Sequence, residues 1–289
     1  MNTNPNIAVT SSIGPDFILT DRDFSKVRAL IHEHAGIALS EHKRQMVYSR
    51  LARRLRKLKL KEFSAYLRLL ESDPNGDEWQ LFTNALTTNL TSFFRESHHF
   101  PVLAEHVRSR PSPITVWCSA ASTGEEPYSI AMTLIEALGD RAGVANVVAT
   151  DIDTQVLAIG AEGVFSTEQV GKLTPERLKR FFLKGSGKHA GEVRIRPEVS
   201  AMVKFEQLNL LAQKWTLAGP FDAIFCRNVM IYFDKATQMK ILRRFAPLIK
   251  PNGLLFAGHS ENFSFANQLF RLRGKTTYEL VSDQARTTA

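Results

Sequence analysis

The 289-residue sequence is poor in cysteine and contains no long apolar run. Its two cysteines, Cys118 and Cys226, are too few for a disulfide framework or a zinc site. No stretch approaches the roughly 18 apolar residues that a membrane-spanning helix requires. The Asn/Thr/Ser-rich N-terminus also lacks the basic and apolar regions of a secretory signal. These absences predict a reduced, cytoplasmic protein.

Acidic residues are fewer than basic ones. The chain has 37 Lys and Arg against 29 Asp and Glu, which gives a formal net charge of +8. This excess predicts an acidic partner, which composition leaves open as nucleic acid, a membrane surface or an acidic protein. The hydrophobic fraction of 44% and the charged fraction of 23% are ordinary for a globular protein. The length suffices for two modest domains or one large domain.

The N-terminal part of the chain carries helix signals and no strand signal. Asp21 or Asp23 is a candidate N-cap for the first helix. The sequence Asp-Pro-Asn-Gly at 73–76 separates the last two helices, because proline and glycine interrupt helical periodicity. The four predicted helices run from Asp21 to near Gly36, from after Ser40 to about Leu60, from Lys61 to Glu71 and from Asp77 to Leu86.

After Pro113 short apolar segments alternate with helical ones, a pattern typical of a parallel sheet covered by helices on both faces. The predicted strands are Ile114–Ala120, Asn146–Thr150, Val203–Asn209, Asp222–Arg227 and Gly253–Gly258. The predicted helices are Glu126–Leu138, Thr154–Glu162 and Lys235–Leu248. Residues 163–198 interrupt the alternation, and they predict a helix near Thr174–Leu183 followed by a small β hairpin.

The loop after the first of these strands is unusual for a nucleotide site, because Gly124 is its only glycine. Small residues after a strand allow close approach of a ligand, and the following helix start offers free N–H groups. Glu125 and Glu126 would repel a phosphate, yet they suit a cation or ribose hydroxyls. The loop therefore favours S-adenosylmethionine over NAD or ATP, and the residues alone do not separate the roles of the two glutamates.

Further polar residues follow other predicted strands. Asp151 ends the second strand, where an acid commonly binds ribose hydroxyls, although Asp151 or Asp153 could instead cap the next helix. Asn209 could reach an adenine edge or cap the next turn, and both interpretations stay open. Arg227 and Asn228 end another strand, where such polar groups are costly unless they bind something.

A basic helix is predicted over residues 43–61. At about 100° per residue its apolar side chains share one face, and six cations lie beside them. We call these cations the basic stripe: Lys43, Arg50, Arg53, Arg54, Lys57 and Lys61. Most charged helix faces are simply solvated, and that interpretation remains possible. However, cations with few interleaved acids repel one another, so the stripe favours an acidic docking surface. Tyr48 is the only aromatic nearby, which weakens a single-stranded nucleic-acid interpretation.

Four motifs occur in order along the chain: Thr-Thr-Asn-Leu-Thr-Ser-Phe-Phe-Arg-Glu at 87–96, the loop at 117–129, Phe-Asp-Ala-Ile-Phe-Cys-Arg-Asn-Val-Met-Ile-Tyr-Phe at 221–233, and Gly-Leu-Leu-Phe-Ala-Gly-His-Ser-Glu at 253–261. Together they resemble the CheR-type chemoreceptor glutamate methyltransferases. The resemblance implies an all-α N-terminal domain at 20–86. It further implies an α/β, Rossmann-like S-adenosylmethionine-dependent methyltransferase domain at 87–282, with a small β subdomain inserted at 163–198.

The resemblance also implies which residues form the site. The implied cofactor-binding residues are Asn89, Thr91, Arg95, Glu126, Asp151, Asn209, Leu210, Arg227 and Asn228. The implied catalytic residues are Arg95, Arg227 and Tyr232, although Tyr232 could instead pack on the following helix. No metal is implied. Composition and spacing did not single out the 87–96 segment, whose involvement rests on the resemblance alone.

The implied reaction moves a methyl group to a glutamate side chain and leaves S-adenosylhomocysteine. A glutamate is already ionised at neutral pH, so no general base is needed, and catalysis should come from orienting the carboxylate and excluding water. The implied partner is the helical cytoplasmic domain of a transmembrane chemoreceptor, docked by Arg50, Arg53, Arg54 and Lys57. The β subdomain, with its Gly-Ser-Gly turn at 185–187, could also bind a C-terminal tether peptide of the receptor.

These expectations include a monomer that neither binds nucleic acid nor inserts into a membrane. Two alternatives come from other classes of protein. An RNA or DNA methyltransferase would share the fold and suit the net charge, but the chain lacks an Asn/Asp-Pro-Pro-Tyr motif. A non-catalytic sensor of S-adenosylmethionine would signal through the basic helix, and the presence of Arg95 and Tyr232 argues against it.

Overall fold

The computed structural model describes residues 17–111 and 113–281. Its α-helices are α1 (Asp21–Ala35), α2 (Arg44–Leu58), α3 (Phe63–Ser72), α4 (Asp77–Leu86), α5 (His99–Arg108), α6 (Glu125–Leu138), α7 (Thr154–Glu162), α8 (Pro175–Phe181), α9 (Pro197–Ser200) and α10 (Lys235–Phe245). Its strands are β1 (Thr115–Cys118), β2 (Asn146–Asp151), β3 (Val164–Ser166), β4 (Phe182–Lys184), β5 (Glu192–Ile195), β6 (Val203–Gln207), β7 (Phe221–Cys226), β8 (Ile249–Ala257), β9 (Phe270–Gly274) and β10 (Thr277–Leu280).

Helices α1 to α4 form the N-terminal layer around an apolar core of their own. The N-cap of α1 is Thr20, and neither predicted aspartate takes that place. Asp23 instead sits at the third helical position, where its carboxylate accepts from the Thr20 backbone and completes a capping box. The helix ends at Gly36, whose φ of 71° is readily available to glycine.

Helix α2 carries the basic stripe and is shorter than its pattern predicted. A 3-10 turn precedes it at Glu41–Lys43, and Lys59 ends it in the left-handed region with φ 56°. Its buried residues are Val47, Leu51, Ala52 and Leu55, and the three larger side chains belong to the core of the helical layer. Because the face that carries them is buried, it sets the orientation of α2 and so determines which of its cations face outward.

The main sheet has seven strands in the order β6-β2-β1-β7-β8-β10-β9. The first five are parallel, whereas β10 runs antiparallel to both β8 and β9. Successive side chains alternate between two apolar cores: in β1, Val116 and Cys118 face the core shared with α5 and α6, and Trp117 faces the core shared with α10. The five predicted strands correspond to β1, β2, β6, β7 and β8.

A second sheet interrupts the alternation where the sequence predicted an insertion. It consists of three antiparallel strands in the order β3-β5-β4, with α8 leading into β4. The predicted hairpin is β4–β5, while β3 was missed because three residues carry too little periodicity. Helix α5 and strands β9 and β10 were also missed.

The predicted fold class is confirmed: an all-α layer precedes a mostly parallel α/β domain that contains a small β insertion. The helical layer and the sheet are joined by polar contacts. Ala38 N donates to Tyr232 O at 2.9 Å, and Asn209 Nδ2 donates to His34 O at 2.9 Å. Among the residues just described, no helix has the length and apolar content to cross a bilayer.

Candidate functional site

A cleft opens at the carboxyl ends of the parallel strands, beneath the helical layer. This is the edge at which open α/β sheets bind ligands. The cleft brings together ten residues that the sequence had singled out: Asn89, Thr91, Arg95, Glu126, Asp151, Asn209, Leu210, Arg227, Asn228 and Tyr232.

The loop between β1 and α6 gives the two neighbouring glutamates different environments. Glu126 lines the cleft, whereas Glu125 accepts from Thr123 Oγ1 at 2.6 Å and from Gln169 Nε2 at 3.2 Å. Gly124 precedes them with a φ of 100°, and a Cβ there would lie 3.0 Å from the Cα of Gly160. Glycine is required at this point because α6 and α7 approach each other closely.

Glu126 and Arg227 form a buried ion pair at the base of the cleft. Arg227 Nη1 donates to Glu126 Oε2 at 2.7 Å, and the arginine side chain is fully buried. Burial raises the pKa of the Glu126 carboxyl, and the positive charge of Arg227 opposes that shift. The other oxygen of Glu126 accepts from Cys118 Sγ at 3.4 Å. The pair is therefore a fixed part of the cleft floor.

Arg227 has further partners in the segment that follows α4. Its Nη2 donates to Arg95 O and lies 3.5 Å from Glu96 Oε2. Among the residues that the structure describes, its buried Nε has no hydrogen-bond partner. Both terminal nitrogens are thus engaged by fixed neighbours, whereas the Nε N–H is not, and Arg227 lines the cleft.

Asp153, and not Asp151, takes the N-cap role that the sequence left open between them. Asp153 is the N-cap of α7, and its Oδ1 accepts from Gln155 N at 2.9 Å. Asp151 ends β2, lines the cleft, and accepts from Ser122 N at 2.9 Å and from Asp153 N at 3.0 Å. Burial raises the pKa of the Asp151 carboxyl, and these backbone donors oppose the shift. The remaining lone pairs of Asp151 are the ones available to hydroxyl groups.

Asn209 caps the turn that follows β6, which was one of its two predicted roles. Its Oδ1 accepts from Leu211 N at 2.8 Å, while its Nδ2 donates to His34 O on the helical layer. Both ends of the amide are thus engaged within the chain. Leu210 lies beside it, is buried, and contributes apolar surface to the cleft.

The segment from Thr87 to Glu96 forms one wall of the cleft. Asn89 Nδ2 donates to Asp153 Oδ2 at 2.9 Å, and Asn89 O accepts from Ser122 Oγ at 3.0 Å. Arg95 Nη1 donates to Leu90 O at 2.9 Å. Within residues 17–111 and 113–281 no carboxylate lies at ion-pair distance from Arg95, which distinguishes this arginine from Arg227.

Glu96 closes this segment by linking it to the loop after β8. Its Oε1 accepts from His259 Nδ1 at 2.9 Å and from Asn228 Nδ2 at 3.3 Å. Burial works against ionisation, but the hydrogen bonds from His259 and the nearby Arg227 outweigh it and lower the pKa of Glu96 to about 2. Glu96 is therefore an anion at neutral pH.

Glu96, His98 and His99 place three potential metal-ligand atoms within 4.8 Å of one another. A guanidinium nitrogen of Arg227 lies 3.5 Å from Glu96 Oε2. A metal cation bound by Glu96 would lie close to the positive guanidinium of Arg227 and would be repelled by it. Arg227 therefore already supplies the positive charge that a cation would supply to Glu96.

The turn after β7 carries Asn228 and Tyr232. Asn228 has a positive φ of 57°, and Tyr232 ends a 3-10 turn over Met230–Tyr232. The backbone of Tyr232 accepts from Ala38 N, so the helical layer holds this turn directly. The side chain of Tyr232 is half-buried at the cleft.

Sequence reasoning missed the contribution of the helical layer to the cleft. Ala35 and Ile37, which flank the end of α1, line it alongside Phe233. The available signal was Gly36, where a Cβ would lie 2.6 Å from Leu211 Cδ1 and 2.9 Å from Phe233 Cδ1. A helix-ending glycine is common enough that only the structure reveals this close approach.

The donors and acceptors of the cleft fit S-adenosylmethionine. The unpartnered Nε of Arg227 suits the carboxylate of the methionine portion. Asp151 suits ribose hydroxyls, and the anionic groups nearby suit a sulfonium. Residues of the apolar walls, including Ile37, Leu208 and Leu210, suit an adenine ring.

The structure divides the basic stripe into two kinds of residue. Arg54 is paired through Nε and Nη2 with Glu78, at 2.9 and 2.5 Å, and Tyr66 donates to the same carboxylate. Arg50 donates to the carbonyl oxygens of Ala85 and Thr87. By contrast, the side chains of Arg53 and Lys57 are exposed.

Comparisons with known proteins agree with this geometry. The model described as "CheR methyltransferase, all-alpha domain" matches residues 22–87, and "CheR methyltransferase, SAM binding domain" matches residues 89–279. The chemotaxis protein methyltransferase of Klebsiella aerogenes is 61% identical over 266 residues, which span 92% of this chain and 92% of that protein. The protein of the same name from Escherichia coli is 58% identical over 265 residues, 92% of this chain and 93% of that protein.

Among solved structures, the glycopeptide N-methyltransferase MtfA complexed with S-adenosylmethionine matches with a TM-score of 0.34 and 17% identity, over 60% of this chain and 58% of that one. The family models together cover both the helical layer and the sheet domain, and the identity with curated relatives extends over most of the chain. The chain therefore belongs to the CheR methyltransferase family and carries its S-adenosylmethionine-binding domain.

Proposed function

We propose that this protein transfers a methyl group from S-adenosylmethionine to glutamate side chains of chemoreceptors, forming γ-methyl esters and S-adenosylhomocysteine. The observation that carries the proposal is the contrast between two arginines of the cleft. Arg227 is held by Glu126 and Glu96, whereas Arg95 has no carboxylate partner among the described residues. A cleft that is otherwise acidic thus keeps one arginine available for an incoming carboxylate.

The reaction requires little acid–base chemistry. S-adenosylmethionine supplies an electrophilic methyl group, and the glutamate carboxylate is already a nucleophile at neutral pH. Arg95 holds one carboxylate oxygen, and the Tyr232 hydroxyl donates to the same group, so that the other oxygen keeps its reactivity. The apolar residues around the cleft exclude water from the carboxylate. Arg227, whose terminal nitrogens are occupied, takes part only by holding the cleft and the cofactor.

We assign cofactor binding to the residues that line the cleft. Asp151 holds ribose hydroxyls, and the Glu126–Arg227 pair holds the polar methionine portion. Asn89 acts from the opposite wall, with Asp153 fixing its amide. Thr91, Asn209, Leu210 and Asn228 complete the enclosure.

Substrate docking is assigned to the exposed part of the basic stripe. Arg53 and Lys57 project from α2 and can attract acidic helices of a receptor, whereas Arg50 and Arg54 are engaged within the chain. Arg54 stabilises α2 against α4 through Glu78, and Arg50 holds the start of the 87–96 segment. Docking and cofactor enclosure therefore share one helix but use different arginines.

The small sheet offers a second contact with the receptor. Strands β3 and β4 are its edges, and the backbone groups of an edge strand can pair with an extended peptide. A receptor tail bound there would raise the local concentration of substrate without changing the chemistry. We place this reaction in the cytoplasm, with the protein acting as a monomer.

Incubation with radiolabelled S-adenosylmethionine tests the proposal. Receptor-containing membranes should acquire label that mild base releases, because methyl esters are base-labile, and total RNA should acquire none. Label in RNA would favour a nucleic-acid methyltransferase. Tight cofactor binding without any label would favour a non-catalytic sensor.

A further inference from the structure

Glu261 is a buried carboxylate that lies outside the proposed cofactor and substrate contacts. It follows β8, and only 5% of its surface is exposed. Oε2 accepts from Asn228 N at 2.9 Å and from Gly258 N at 2.5 Å, and Oε1 accepts from Met230 N at 2.7 Å. One side chain therefore collects backbone N–H groups from two separate loops.

These loops lie at the ends of neighbouring parallel strands. Cys226 at the end of β7 pairs in register with Ala257 at the end of β8, so the chains beyond both strands emerge side by side. Gly258 packs against Asn228 so closely that a Cβ would lie 2.4 Å from Asn228 Nδ2 and 2.8 Å from its backbone nitrogen. The carboxylate of Glu261 lies where the two loops meet.

The turn that Glu261 holds has a backbone conformation that costs free energy. Asn228 has a positive φ of 57°, a conformation that L-residues visit only with support from their surroundings. In the part of the chain that is described, no Lys, Arg or His lies at ion-pair distance from Glu261. Its negative charge is stabilised by main-chain N–H groups, which are consequently drawn into one geometry. Burial raises the pKa of this carboxyl, and the N–H groups of the turn oppose the shift.

We infer that Glu261 is a positioning residue, which fixes the 227–232 turn so that Asn228 and Tyr232 are presented together to the cleft. The turn is anchored at both sides: Glu261 accepts from its start, and Ala38 of the helical layer donates to its last carbonyl. The role of Tyr232 toward substrate rests on the proposed function, whereas the position of Asn228 concerns the cofactor alone.

Replacement of Glu261 by glutamine keeps the volume but removes the charge and half of the acceptors. An amide presents N–H groups where the carboxylate presented an oxygen, so the donors of Asn228 and Met230 cannot both be satisfied. E261Q should therefore weaken S-adenosylhomocysteine binding about 10-fold in calorimetry, and should accelerate deuterium exchange in a peptide covering 227–233. Neither measurement depends on which substrate is methylated.

Turnover links this effect to catalysis. In a double-mutant cycle with Y232F, E261Q should lower turnover substantially in the wild-type background and much less in the Y232F background, because both changes act through the same hydroxyl. Additive losses would show that Glu261 does not act through Tyr232. If wild-type protein labels no receptor, the proposed function fails, but the binding and exchange results still decide the positioning role of Glu261.

Two further variants separate positioning from general stability. I241V removes a methylene from the core beside α10 and should lower the melting temperature while leaving cofactor affinity and exchange at 227–233 unchanged. E261D keeps the charge, but its side chain is too short to reach both loops, so it should show the same local change as E261Q. It therefore tests the inference if E261Q does not fold. Unchanged affinity and exchange in E261Q, or faster exchange spread evenly over the sheet, would overturn the inference.

Discussion

The cleft and helix α2 both concentrate charge, yet they use it in opposite ways. At the cleft, the side chain of Arg227 is fully buried, and its terminal nitrogens lie 2.7 Å from Glu126 and 3.5 Å from Glu96. On α2, Arg53 and Lys57 extend into solvent. A buried charge must be satisfied by fixed partners because desolvation is costly, whereas an exposed one keeps its hydration and can exchange it for a partner.

Helix α2 itself contains both a paired, shielded arginine and an exposed one within a single turn. Arg53 and Arg54 are adjacent in the sequence, but Arg54 pairs with Glu78, and both of these side chains are mostly shielded, at 13% and 16% exposure. Adjacent positions on a helix point about 100° apart, so one residue faces the neighbouring helix α4 and the other faces solvent. Arginine count alone therefore overstates the size of a docking surface.

The largest effect should come from breaking the buried pair at the cleft. R227A leaves Glu126 and Glu96 without their cation and should lower the free energy of unfolding by about 3–5 kcal/mol in urea titrations. R227K retains the charge with fewer donors and should lose less. If R227A unfolded like wild type, the cleft charges would not be mutually dependent, and the contrast with α2 would fail.

The next largest effect concerns the two cleft residues that remain available to substrate. R95A and Y232F should each lower turnover about 100-fold, because they misplace the carboxylate. Their free energies of unfolding should stay within about 0.5 kcal/mol of wild type. Steady-state labelling of receptor membranes and urea titration measure the two quantities. If the variants lost stability but kept their turnover, Arg95 and Tyr232 would be structural residues and not substrate-orienting ones.

A smaller effect should separate Arg54 from Arg53. R54A removes hydrogen bonds to a partly buried carboxylate and should cost about 2 kcal/mol of unfolding free energy. R53A is the matched control on the same helix and should change stability by less than about 0.5 kcal/mol. In receptor labelling, R53E should raise the KM for receptor without weakening S-adenosylhomocysteine binding. Equal stability losses for both alanine variants would contradict the division of the stripe.

The smallest effect should appear as a pH dependence. The pKa of Glu96 in the folded chain is lowered to about 2, below its unfolded value, so its stabilising contribution is present above the unfolded pKa and is lost as pH falls toward 2. E96Q should be less stable than wild type by about 1 kcal/mol at pH 7, after allowance for solvent screening. The difference should shrink through pH 4 to 2 in thermal melts. E105Q, at an exposed site on α5, should match wild type throughout.

Much of the fold followed from local patterns. Five strands and three helices of the sheet domain were predicted from the alternation of short apolar and helical segments. Burial of one or both faces of an element imposes a hydrophobic period on its sequence, and that period can be recognised locally. Thr20 was missed as the N-cap of α1 because the aspartates that follow it are equally good cap residues in isolation. Strands β9 and β10 were missed because, as an antiparallel edge, they carry many polar residues.

The site was less accessible to local reasoning. Asp151, Arg227 and Asn228 could be found because they follow apolar strands, where polar residues are conspicuous. The 87–96 segment carries no such signal, and its place in the cleft depends on Asp153 and Ser122, which lie more than thirty positions away along the chain. Contacts of that range are set by how the helical layer packs on the sheet.

The sequence by itself determined the class of fold, and it predicted a site for S-adenosylmethionine at the carboxyl ends of the parallel strands. These follow from periodicity and residue type, which every segment carries locally. Only the tertiary structure decided that Arg227 holds Glu126 in the cleft, which of two neighbouring arginines is exposed, and that Glu261 joins the loops after β7 and β8. A charge acquires its role from the partners that folding places around it, and those partners are distant in the sequence.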